Sequence, residues 1–248
     1  MNQYFDVHQT QVFTFYSTAH LSALAVFGLC LLLLYANRLR LRNSRYRQYG
    51  RFILAAVLVL CEVTLNIWYI TQDIFRLQDT LPLELCSISL YLCVIMLLFN
   101  QRLLFQIVYF TGLGGALQAI LTPALTFDFP HYRFLEFFVA HFAIMLAVLY
   151  MVWVEQYRPT FQSVGLAMGF LNVLLVIVGS INYVVGGNYM FLMKKPETAS
   201  MLDWLGPYPW YLLSLEVVSF VLFTLLYLPF IFVAKDPSSR KNKLPLSE

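Results

Sequence analysis

Seven runs of apolar residues, each close to the length that crosses hydrocarbon, constrain this chain more than anything else in it. They lie near 17–36, 52–72, 82–99, 104–122, 134–154, 163–184 and 208–233. A helix needs about 20 apolar residues, at 1.5 Å each, to span a bilayer core. In lipid, only helices and closed barrels satisfy their own backbone polar groups. These runs are continuous, without the alternation of barrel strands, so they predict helices. The expected fold is all-α: one polytopic seven-helix transmembrane bundle over residues 1–234, followed by a disordered polar tail at 235–248. Only 12% of residues are charged and 60% are hydrophobic, against about 25% charged in a soluble domain. A multi-pass protein of the cell membrane is expected, with membrane lipids as partners and no nucleic acid. The opening stretch MNQYFDVHQTQVFTFY has neither a basic start nor an early apolar core, so no cleavable signal peptide is expected.

Sidedness follows from the basic residues of the connections. The first connection, NRLRLRNSRYRQYGR, holds six arginines, and alternation of the spans puts twelve of the sixteen Lys and Arg on its side. Arg76, Arg133, Lys194 and Lys195 fall on the other side. The expected orientation is therefore N-terminus outside and C-terminus cytoplasmic.

With that orientation the intramembrane polar residues share one layer. Glu84 and Cys86 lie roughly 3–6 Å below the outer end of the third span, and His141 and Glu216 roughly 10–12 Å below theirs. Asn66 and Glu62 in the second span lie roughly 9 and 15 Å down, and Gln118, Ser180 and Asn182 also fall in the outer half. A carboxylate at the centre of a span costs about 2.5–3.5 kcal/mol, so such residues face one another or a wet cavity and point to a functional site. The alternative is interhelical adhesion, at about 0.6 kcal/mol per hydrogen bond. Glu62, Asn66, Tyr69 and Asp73 are spaced 4, 3 and 4 along one helical face. Glu84 and Cys86, by contrast, are about 200° apart on the helical wheel. Glu84 groups with Ser87 and Tyr91, while Cys86 groups with Ser89 and Cys93. Glu84 has a second reading, an acid complementing the dipole at a helix start behind Pro82.

Other features each carry two readings. The glycines of TGLGGALQ (111–118) serve close helix contact or make room for an acyl chain. His141 is a packing element or a catalytic base; His20 and His131 read as interface residues. The cysteines at 30, 61, 86 and 93 lie in apolar runs without CxxC spacing, and no HExxH is present, so no disulfide, metal or cofactor is expected. The outer segment 186–211 is a lid over the polar layer or an interfacial anchor. Lys194 and Lys195 in it are suited to a phosphate. Trp204, Tyr208, Trp210 and Tyr211 suit the aromatic belt.

Four stretches together resemble the bacterial YwaF-type integral membrane family, related to animal transmembrane protein 164. They are LPLELC (81–86), GLGGALQAILTP (112–123) with FPHYRFLEFFVAH (129–141), NYMFLMKKP (188–196) and GPYPWY (206–211). The resemblance implies a seven-helix fold and, for the animal relative, acyl transfer onto lysophospholipids by a cysteine and a histidine. The matching positions are Cys86 in PLELC and His141 in FFVAH. Glu84 stands where other polar residues are expected in relatives, and related folds host different functions.

The chemistry so implied has Cys86 as nucleophile and His141 as base, with Asn66, Gln118 or Asn182 donating to the oxyanion. The expected substrate-binding set is Glu62, Asn66, Gln118, Asn182, Lys194, Lys195, Trp210 and Glu216, around a phospholipid or lysophospholipid. The alternative is a non-catalytic lipid- or solute-binding or transport protein that uses Glu62, Glu216 and His141 in the same cavity. The absence of an inverted repeat and the one-sided polar layer count against alternating access.

Overall fold

A computed structural model describes residues 4–8, 12–196 and 201–234. Its helices are α1 (Thr18–Ala36), α2 (Arg38–Leu41), α3 (Ser44–Thr71), α4 (Leu85–Phe99), α5 (Arg102–Leu121), α6 (Tyr132–Trp153), α7 (Phe161–Val185) and α8 (Trp210–Ala234). Two 3₁₀ turns, Tyr189–Phe191 and Met201–Leu205, lie between α7 and α8. Every apolar run has become a helix, and among the described residues the only strand-like pairing is an isolated bridge between Val12 and Phe127. The predicted tail at 235–248 lies outside the described residues.

Six of these helices are long and apolar enough to cross a membrane. The third run is the exception. Its helix has 15 residues, about 22 Å, short of the roughly 30 Å hydrocarbon core. Residues 82–84 do not join it: the Leu83 N–H turns back to the Leu81 carbonyl at 2.7 Å, and Glu84 has extended backbone. Helix α3 differs in the other direction. It starts at Ser44, eight residues before the apolar run, because the Asn43 side chain caps it by accepting the Arg45 N–H. Apart from Gly50, the basic stretch 44–51 is built from residues of good or fair helix propensity, and hydropathy alone does not register it as helix.

Helices α5 and α6 form the centre. In each, 61% of the apolar window is buried inside the protein, against 11–22% in the other long helices, which leave most of their surface to lipid. Helix α5 packs against α4, α6, α7 and α8, and α6 against α1, α3, α4 and α5. With lipid as apolar as leucine, close backbone approach and dispersion hold such a bundle together. The α5 glycines do this work: a Cβ on Gly112 would come 3.3 Å from Ile144 of α6, and one on Gly114 3.2 Å from Leu222 of α8. That bears out the close-contact reading for these two positions.

The N-terminal segment is part of the fold. It folds over the α5–α6 connection through Phe13 N–H to the Thr126 carbonyl (3.0 Å) and Tyr132 N–H to the Tyr4 carbonyl (2.8 Å). The Trp68 indole adds a bond to the Phe5 carbonyl (2.9 Å). His20 is fully buried: Nε2 donates to the Ile120 carbonyl at 2.8 Å and Nδ1 accepts the Tyr16 N–H at 3.1 Å.

Candidate functional site

Cys86 is the second residue of α4, within the first turn, where unpaired N–H groups give the helix its positive end. Its thiol faces α5, 3.7 Å from where a Cβ would stand on Gly115. Further along the same side, Ser89 is buried and donates to Thr111 of α5 (3.4 Å), and Cys93 is buried below it. Tyr91 turns to α3 instead, and Glu84 turns to the segment after α7. Cys86 and Glu84 do point apart, but through the extended backbone of Glu84 ahead of the helix and not through helical phase.

His141 lies mid-way along α6 and is buried. Its Nδ1 stands 2.6 Å from the Phe137 carbonyl. A carbonyl only accepts, so Nδ1 carries the proton and Nε2 keeps a free lone pair. The Phe137 ring packs on the imidazole at 4.2 Å. Helix α6 touches α4, but among the described residues no hydrogen bond joins Cys86 to His141. The charged neighbour of the thiol is Glu84 and that of the imidazole is Arg133.

A second group of polar residues lies between α3, α4 and α6. Glu62 Oε1 accepts from Asn66 Nδ2 (3.0 Å) and from the Tyr91 hydroxyl (2.8 Å). These three line a groove of about 560 Å³ between α3 and α4, with walls of valine, isoleucine and leucine. On the α6 side, Arg133 forms an ion pair with Glu136 and lies over the Trp68 and Tyr69 rings at 5.8 and 5.9 Å. Glu62 and Glu136 are in electrostatic reach of each other, and Cys61 of both. Sequence reasoning missed Glu136, Arg133 as its partner, and Tyr91 as a ligand of Glu62. The available signal was an Arg and a Glu three apart at the start of the fifth run, which is one helical face.

The other expected site residues are dispersed. Asn182 is buried and doubly engaged, its amide donating to the Tyr189 carbonyl and accepting the Tyr189 N–H, both at 2.9 Å. Glu216 accepts from Asn172 on the α7–α8 side (3.1 Å). Gln118 is on an exposed face. Trp210 opens α8 and is exposed. Lys195 sits 5.7 Å over the Tyr211 ring, and Lys194 is tied by its backbone to the Asn188 side chain.

The segment after α7, residues 186–196, lies as a strap on the approach to α4. The Tyr189 hydroxyl donates to the Leu77 carbonyl (2.9 Å) and accepts the Leu81 N–H (2.8 Å). The Met190 N–H donates to Glu84 Oε2 at 3.1 Å, so Glu84 holds the strap two residues before Cys86. The Tyr211 hydroxyl anchors the Phe191 carbonyl. Met190 and Phe191 both have left-handed backbone, φ 56° and 54°, a conformation of about 1–3 kcal/mol each for non-glycine residues that surrounding contacts must maintain. A second anchor at this end is His131. Its Nδ1 caps α6 by accepting the Arg133 N–H (3.1 Å), and Nε2 donates to the Asp6 carbonyl (3.3 Å). Burial holds this ring's pKa below that of an ordinary histidine.

Six membrane-length helices and a shorter apolar one, with carboxylates and a histidine held inside, define a polytopic membrane protein. The chain belongs to the TMEM164 family, whose model matches residues 15–227. Neither a curated protein nor a solved structure matches it.

Proposed function

We propose that this protein transfers acyl groups between a phospholipid and a lysophospholipid-like acceptor, with Cys86 as nucleophile and His141 as base. The observation that carries this reading is the tautomer of His141: Nδ1 is committed to the Phe137 carbonyl, which leaves Nε2 as the proton acceptor. The thiol proton passes to Nε2, and the sulfur attacks the donor ester carbonyl. The ester C–O bond breaks and the lysolipid leaves with the proton, giving a thioester on Cys86. The acceptor hydroxyl then loses its proton to His141 and attacks the thioester, and the proton returns to the sulfur. Gln118 remains the proposed oxyanion donor, since the amides of Asn66 and Asn182 are engaged by Glu62 and by Tyr189. The headgroup is proposed to meet Lys194, Lys195 and Trp210. The proposed orientation puts the arginine-rich end in the cytoplasm and this site at the outer leaflet of the cell membrane.

A second reading, a non-catalytic lipid- or solute-binding or transport protein, is favoured by one observation. The groove of Glu62, Asn66 and Tyr91 opens between two helices with neither Cys86 nor His141 in its lining. Purified protein given a phospholipid donor and a lysophospholipid separates the two. The wild type is expected to transfer, and Cys86→Ala and His141→Ala to lose transfer. Activity that survives both substitutions rules out the Cys–His mechanism, and no transfer across a broad lipid panel favours the binder.

A further inference from the structure

We propose that the arginine-rich end of the bundle binds the headgroups of anionic phospholipids. Helix α2 and the first two turns of α3, with their connection, carry six arginines between positions 38 and 51. Arg102 and Arg158 stand at the same end, where α5 begins and where α6 leads into α7. Glu155 is the one carboxylate among the described residues there. It faces Arg51 at 3.3 Å and Arg47 at 3.8 Å, so one acid meets eight guanidinium groups.

The arginines divide into two sets. Arg42 is fixed by two bonds to the Trp153 carbonyl, at 3.2 and 3.0 Å, and Arg38 by the Tyr35 carbonyl and ring. These build the elbow. Arg40 and Arg45 are exposed, and no carboxylate pairs with either among the described residues; Arg40 lies over the Tyr46 ring at 5.8 Å. The fixed set is itself under-supplied with anions. Arg51, whose side chain is 14% exposed, buries Nη1 without a partner, and its Nε faces Glu155 Oε1 without hydrogen-bond alignment.

Three features select a lipid headgroup as the anion. Guanidinium groups take phosphate oxygens in bidentate pairs. Exposed Tyr35, Tyr46 and Tyr49 stand beside the arginines, the residues that mark the headgroup level of a bilayer. Exposed Phe52 and Ile53 follow at once on α3, giving the acyl chains of the same lipid an apolar wall. A zwitterionic headgroup carries its own cation and offsets this charge; an anionic one does not.

The test uses the full chain in bilayers of phosphatidylcholine and spin-labelled phosphatidylglycerol or phosphatidylcholine, reading the relative association of the two labels. The wild type is expected to prefer phosphatidylglycerol. Arg40→Gln with Arg45→Gln, which leaves the Glu155 pairs in place, is expected to lower the preference roughly fivefold for each arginine lost. Arg40→Lys with Arg45→Lys should retain most of it. The control Arg76→Gln, at the opposite end, should leave it unchanged. Equal association of the two labels with the wild type overturns the proposal, as does a preference unaffected by the double Gln variant or reduced as much by Arg76→Gln. Competition by inorganic phosphate as effective as that of the lipid would assign the site to a free anion and overturn it too.

Discussion

The two ends of the bundle are held by different physics. At the end where α4 begins, hydrogen bonds from side chains to backbone fix two covering segments, most of them from neutral side chains with the Glu84 carboxyl as the exception. Asn182, Tyr189 and Tyr211 hold the strap, while Trp68 and His131 hold the N-terminal segment. The opposite end is held by guanidinium groups around one carboxylate and by Tyr150, whose hydroxyl donates to the Arg47 carbonyl at 2.8 Å. Neutral bonds to buried backbone fix position tightly and leave little charge on display. An arginine cluster with one acid leaves a surface that still attracts anions. The first arrangement suits a cover over the start of α4, the second a surface that attracts anions.

Breaking the strap should cost most. Asn182→Ala leaves the buried Tyr189 N–H and carbonyl without partners, and a loss of about 2–4 kcal/mol is expected from two unsatisfied backbone groups. Thermal unfolding in detergent measures it, and cleavage within 186–196 by a protease should rise in parallel. Gly50→Ala probes the arginine end: the added Cβ falls on the buried Tyr150 ring, and overpacking should cost about 1–3 kcal/mol. A loss from Gly50→Ala clearly greater than that from Asn182→Ala would reverse the ranking of the two ends.

Glu84→Gln keeps the shape but replaces the carboxyl that accepts the Met190 N–H with an amide, with an expected cost of about 1 kcal/mol. Strap cleavage should rise, and Cys86 should label faster with a thiol reagent; unchanged labelling would detach Glu84 from access to Cys86. His131 makes the same end pH-dependent. Its folded pKa lies below the ordinary 6.5, so the folded state favours the neutral ring that caps α6. That stability is complete above the unfolded pKa and is lost as pH falls below it, where the unfolded chain binds the proton first. Unfolding midpoints measured from pH 7.5 to 5 should fall, with a shallower slope in His131→Asn. The smallest effect belongs to Arg76→Ala, an exposed pair with Asp79, at about 0–0.5 kcal/mol.

Several of these relations were legible along the chain because they are local. Glu62 and Asn66 are four apart, so one helical face brings them together. The grouping of Cys86 with Ser89 and Cys93 is a matter of phase on one helix. The pairing of Arg133 with Glu136 was equally local and went unread because Arg133 was taken as a loop residue outside the span. Other relations have no local sign. Glu62 meets Tyr91 across 29 positions and Asn172 meets Glu216 across 44. Asn182, read as an outer-layer polar group that donates to an oxyanion, lies at the end of α7 with both faces of its amide on Tyr189.

By itself the sequence determined that this is a multi-helix membrane protein, because apolar runs of spanning length have no other way to satisfy their backbone in lipid. Phase along each helix, a property of the covalent chain, likewise grouped Cys86 with Ser89 and Cys93, and the packing then turned that side to α5. Only the tertiary structure decided that α4 is short, that α5 and α6 are the centre, and that Glu84 holds the strap. Those outcomes depend on which helix faces meet and where a turn competes with the first turn of a helix. Such choices are made by packing between distant segments, on which local hydropathy has no bearing.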